Sequence, residues 1–142
     1  MDTNSQKTTD ERYSELGLTR EQLMLLRAYF LCFANLYGMI SMQKAWEVFR
    51  NYEGIGTVRK KDFLAFSGIV RDEPDLPYSI YELQEVYLAE ESDDPKDRLL
   101  INNRLVGEGQ YRFLHAYSID EQQANKPYYL PDKLTFLSFS SD

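Results

Sequence analysis

The chain has little of what reactive sites are usually built from: one Cys, one His and one Trp among 142 residues. Cys32 alone cannot form an intrachain disulfide. Its place in the apolar run LMLLRAYFLCFA reads as a buried, reduced thiol that packs as a small hydrophobe. Cys32 and His115 together fall short of the four ligands of a structural zinc site. The opening MDTNSQKTTDERYSELGLTR is polar and acidic, without the apolar stretch of a signal peptide. Lacking a disulfide pair and an export signal, the chain reads as cytoplasmic. A long apolar run is missing too. The nearest, Leu23 to Ile40, is interrupted by Arg27 and Asn35. One charge at a helix centre costs about 2.5–3.5 kcal/mol on insertion scales, so this is a core helix and not a span.

What is present suffices for a core. Hydrophobic residues make up 43% of the chain and charged residues 27%, at a length that suits one domain. Residues 1–13 read as a disordered tail and residues 14–142 as a single domain. Thr19 with Gln22 forms a capping box that starts a helix reaching about Leu36 and stopping near Gly38. That helix is apolar on nearly every face, so it is either the centre of the domain or a homodimer contact. Ser41 caps a second helix to about Tyr52, and a third runs from about Val58 to Val70. YSIYELQEVYL (78–88) carries two signals: its Tyr, Ile and Val content favours a strand, while Ser79-x-x-Glu82 would also cap a helix. The strand is preferred, with RLLINNRLV (98–106) as its partner after the turn EESDDPKD. A helical segment at 110–117, a restart at Ser118 and a last helix opened by Pro131 complete the chain. The fold class expected is α+β and mostly helical. A three-helix, winged-helix-like N-terminal unit is followed by a small acidic β-hairpin and C-terminal helices.

Charge is unevenly spread. Residues 1–70 carry nine basic and eight acidic groups, whereas residues 71–142 carry seven and fifteen. Between residues 72 and 97 stand Asp72, Glu73, Asp75, Glu82, Glu85, Glu90, Glu91, Asp93, Asp94 and Asp97, opposed by Lys96 alone. The opposite pole is Arg59-Lys60-Lys61, at the start of the third helix.

Three helices and two extended runs are the element order of a winged helix-turn-helix, whose third helix enters the major groove. Arg59, Lys60 and Lys61 fall where that reading wants cations. A wing of about nine net negative charges would forfeit the counterion release that drives non-specific DNA affinity. The acidic arm supports the opposite reading. A hairpin bearing Glu82, Glu85, Tyr87, Glu90, Glu91, Asp93, Asp94 and Asp97 would imitate phosphates and dock on a basic surface. FRNYEGIGTVRKKDF resembles a degenerate calcium loop, but Ile55 and Arg59 would occupy ligand positions. A Cys32–His115 dyad needs the fold to join two distant residues, the Glu90–Asp97 cluster is a solvated turn, and the glycine pairs GIG and GEG follow no phosphate-binding fingerprint. No catalytic residue, metal site or cofactor follows from the sequence.

LYGMIS (36–41) and KPYYLPDKLTFL (126–137) resemble recurring segments of uncharacterised intracellular proteins of Gram-positive bacteria and their mobile elements. The resemblance follows the order of the chain from about Leu16 to Phe139. It implies no activity, and the Cys-rich tail of some members is missing here. Read from the residues, both segments are fold determinants. The functional expectation is a non-enzymatic acidic binding or regulatory module acting on a protein partner. A basic nucleic-acid-handling enzyme fits that role, with the chain as a phage or mobile-element inhibitor of the anti-restriction or anti-CRISPR type. The alternative is a DNA-binding regulator using Arg59, Lys60 and Lys61.

Overall fold

In the computed structural model, which describes residues 7–140, helices begin where short polar side chains can cap them. Thr8 and Thr19 each accept a bond from the N–H three residues on, and Glu11 and Gln22 return it. They open α1 (Thr9–Glu15) and α2 (Arg20–Cys32). The expected tail is thereby corrected over residues 9–13, which belong to α1. The tail's first six residues lie outside the described ones, but α1 begins well before residue 13. Buried Tyr13 packs on Phe66, and Arg12 bonds Asp72 and the Gly68 carbonyl, so polar composition is outweighed by these anchors.

α2 continues into a π-helical turn, Phe33–Tyr37, which ends at Gly38 with φ 80°. The backbone there favours glycine, and a Cβ would also lie 2.9 Å from Leu105 Cδ1, so the tip of that side chain would have to shift. β1 (Met39–Ser41) follows, a strand the sequence reading lacks, and Ser41 then caps α3 (Met42–Glu53). α4 spans Lys60–Val70. The strand expected over 78–88 stops early. β2 is Tyr78–Tyr81, and Glu82 with Glu85 closes a capping box that opens α5 (Leu83–Val86). β3 (Leu99–Asn102) ends in a 3₁₀ turn. α6 (Leu114–Gln123) passes Ser118 without restarting, and α7 (Lys133–Ser138) is capped by Asp132 rather than opened by Pro131.

The fold is α+β and mostly helical, with seven α-helices and one three-stranded antiparallel sheet among the described residues. The sheet order is β1-β3-β2, with Ile40 opposite Leu100 and Ile80 opposite Leu100. Strand parity divides the interior in two. Ile40, Tyr78, Ile80 and Leu100 face a large core built on α2, α3, α4 and Phe136 of α7. Met39, Tyr81, Leu99 and Ile101 face the other way, onto Val86, Phe113 and Ala116. α2 is covered by the chain's own elements: Leu26, Tyr29, Phe30 and Cys32 are buried, and Met24 is its one large apolar side chain left exposed. Its all-round apolarity therefore needs no second subunit.

Candidate functional site

The acidic segment divides into a paired part and an open part. Asp72 meets Arg12 at 2.7 Å and Glu73 meets Arg27 at 2.9 Å. Glu82 accepts from Arg98 Nε at 2.9 Å, and Glu85 from Arg71 at 2.7 Å. Burial pushes the Glu85 carboxyl up, but hydrogen bonds from Arg71 and the Glu82 N–H outweigh it and hold the group below the usual range. These carboxylates are internal struts. None of the acids lies on a strand. Of the rest, Asp75 lies between α4 and β2, and Glu90, Glu91, Asp93, Asp94 and Asp97 occupy the connection from α5 to β3. There Ser92 donates to Asp97 at 2.7 Å, holding that carboxyl low, and Asp94 caps the turn Pro95–Asp97 beside Lys96. Among the described residues, Asp75, Glu90, Glu91 and Asp93 make no ion pair and no side-chain hydrogen bond. Exposed Leu88 precedes this stretch. Tyr87 pins its start by donating to Asp120 at 2.5 Å and packing on Tyr117, whose own hydroxyl donates to the Val86 carbonyl.

The basic pole is largely engaged. Arg59 is the N-cap of α4 and bonds buried Asp62 at 3.0 Å, while Lys60 donates to Gln43 at 2.6 Å. Lys61 is exposed, without a partner among the described residues. Beyond it the open face of α4 offers Ala65 and the half-buried Leu64 and Gly68, with Arg12 laid on the Gly68 carbonyl. A helix that reads base edges presents several polar side chains along one face, and α4 presents one.

Cys32 and His115 are not brought together. Cys32 is fully buried in the large core, where burial pushes the thiol up to about 12, and His115 is exposed on α6 across the sheet. Among the described residues no three His, Cys, Asp or Glu side chains converge as metal ligands, and no helix is long and apolar enough to cross a membrane.

The two motifs read as fold determinants do meet. Tyr37 stacks edge-on against Tyr128 at 4.9 Å and donates to the Tyr129 carbonyl at 2.6 Å, and Tyr52 donates to the Pro131 carbonyl. Phe136 is caged by Tyr29, Phe33, Tyr37 and Tyr52. Where the chain crosses from α6 to α7 it leaves a groove of about 630 Å³, walled by β1, the face of α3 from Lys44 to Asn51, the end of α6, residues 124–128 and Leu130. Ala124, at the end of α6, takes φ 42°, a conformation that β-carbon-bearing residues rarely adopt. The sequence reading misses this groove because its walls are some eighty residues apart and β1 is three residues long. Compared with known proteins, the chain matches no family model, no curated protein and no solved structure.

Proposed function

We propose that the chain is a non-enzymatic binding or regulatory module that engages a protein partner through the acidic connection between α5 and β3. The observation that carries this reading is the contiguous exposure of Leu88, Glu90, Glu91, Asp93 and Asp94 on a loop held at both ends by its own hydrogen bonds. The unpaired carboxylates supply steering toward a basic surface, and Leu88 supplies an apolar anchor at their edge. Glu82, Glu85 and Tyr87 serve by positioning the loop, because their polar groups are already engaged. The partner class that fits is a basic nucleic-acid-handling enzyme. The phage or mobile-element setting rests on the resemblance of LYGMIS and KPYYLPDKLTFL alone.

The scaffold supports a winged-helix-like reading. β1 falls between α2 and α3 and the sheet order is β1-β3-β2, which supports reading the β2–β3 connection as a wing. That topology favours DNA binding as a second reading, with Arg59, Lys60 and Lys61 at the helix start, against which stands the single free cation of α4.

The test is a quadruple charge reversal, Glu90→Lys, Glu91→Lys, Asp93→Lys and Asp94→Lys, assayed against a partner purified after capture from the native host. Partner affinity at low salt should fall by at least about tenfold, and an unchanged affinity removes the proposal. Polarisation titrations with genomic duplex fragments decide the second reading: saturable binding with a steep salt slope, lost in Arg59→Ala/Lys60→Ala, would establish it.

A further inference from the structure

β1 is the end strand of the sheet, and its unpaired outer edge borders the groove. Asn102 N–H donates to the Gly38 carbonyl and Met42 N–H to the Arg98 carbonyl, which sets the register of the β1–β3 ladder. In an antiparallel pair the bonded residues alternate, so Gly38, Ile40 and Met42 turn toward β3 while Met39 and Ser41 turn away from it. The Met39 N–H and C=O and the Ser41 N–H thus point outward, and among the described residues no other backbone group takes them up. Ser41 is the N-cap of α3, its Oγ accepting from the Lys44 N–H, and the carbonyl of an N-cap residue is where the helix's own bonding begins. Strand edges are normally paired or covered, and this one, unpaired, forms part of a cavity wall.

We propose that the groove is a peptide-binding site, in which an extended, carboxylate-bearing segment of a protein partner adds a fourth strand beside β1. This does not rest on the acidic loop. The dimensions suit the role: β1 spans about 10 Å, and a volume of 630 Å³ falls within the range of ligand pockets and accommodates about four extended residues. Main-chain bonds to Met39 and Ser41 supply register. Alternate side chains of the segment meet Val48 and Lys44 of α3 on one side and Ile119 and Gln123 of α6 on the other. Charge selects the acid. The groove's two carboxylates are engaged, Glu47 by Gln43 and Lys44 and Asp120 by Tyr87, while Lys126 makes no ion pair among the described residues. A carboxylate of the segment therefore complements Lys126.

The probe is a phage-displayed library of random heptapeptides, selected on the full chain, with enriched sequences resynthesised as fluorescent peptides. Selection should yield peptides with alternating apolar residues and an Asp or Glu. Their affinity should fall by about tenfold or more in Lys126→Glu and in Gln123→Trp, which fills the groove. Lys126→Glu is at an exposed position, so the test stands even where the larger side chain disturbs folding. N-methylation of alternate peptide residues should abolish binding, while methylation of the intervening ones leaves it within about twofold, because only one set of N–H groups faces the strand. Reversal of Glu90 and Glu91 should leave peptide binding unchanged, which separates this site from the acidic loop. No enrichment over bare phage, or binding indifferent to both variants or to N-methylation, overturns the proposal.

Discussion

Ala124 holds a backbone shape that its β-carbon opposes. With φ 42° and ψ −121° it turns the chain out of α6 so that residues 124–130 can face β1. A non-glycine residue in such a region costs of order 1–3 kcal/mol. Ala124→Gly should therefore stabilise the fold by about 1 kcal/mol, after the added flexibility of the unfolded chain is discounted. Thermal unfolding would show it as a rise of about 3 °C, and a lowered midpoint would contradict the strain argument. Gly38 is the opposite case. Gly38→Ala meets an unfavourable φ and displaces the tip of Leu105, and should cost about 1–3 kcal/mol in chemical denaturation, chiefly from the backbone. Cys32 is legible in the sequence as a buried thiol, and the structure agrees: it is fully buried and its thiol is pushed up to about 12. Iodoacetamide at pH 8 should leave it unmodified in the folded chain and label it in denaturant.

Elements were legible in proportion to their length and capping. α2, α3 and α4 announce themselves because Thr19 and Ser41 are cap residues and the apolar spacing behind them is helical. β1 has three residues and no pattern of its own, so only its partner β3, some sixty residues later, makes it a strand. The stretch 78–88 carried both signals, and the chain uses both, with a strand to Tyr81 and a helix from Leu83. Nor does a list of acids show which ones face arginine. Arg71 illustrates the point: it bonds Glu85 and the Ile80 carbonyl and approaches Glu82 at 3.9 Å, tying α4 to β2 and α5. Arg71→Met should cost about 1–2 kcal/mol, with the partial exposure of these pairs already discounted, and loosen the acidic loop's base. Amide exchange tests the edge itself. The Ile40 N–H, inside the ladder, should be protected well above those of Met39 and Ser41, and equal protection would show that the outer edge is covered.

At the scale of the molecule, the core holds phenol groups and a thiol alongside its hydrocarbon side chains. Tyr13, Tyr29 and Tyr78 are buried, and burial pushes each phenol up, Tyr13 to about 12. Glu53 adds to the rise at Tyr29, which donates to it at 2.5 Å. Cys32 behaves alike. In the unfolded chain these groups lose their protons near pH 8.5 for the thiol and pH 10 for the phenols. Because their folded pKa values are raised, the stabilisation is complete below the unfolded values and is lost as pH climbs toward the folded ones. Between those limits the unfolded state binds fewer protons, so each group lowers stability by about 1.4 kcal/mol per pH unit. Four such groups acting together would exhaust a stability of about 5–15 kcal/mol within two or three units. The chain should therefore unfold cooperatively in alkali at about pH 11–12, with tyrosinate absorbance at 295 nm rising in step with the loss of helical circular dichroism. Absorbance that rose for all eleven tyrosines near pH 10 while the helices persisted would mean that the phenols are not held in the core, and the aromatic packing around α2 would be wrong.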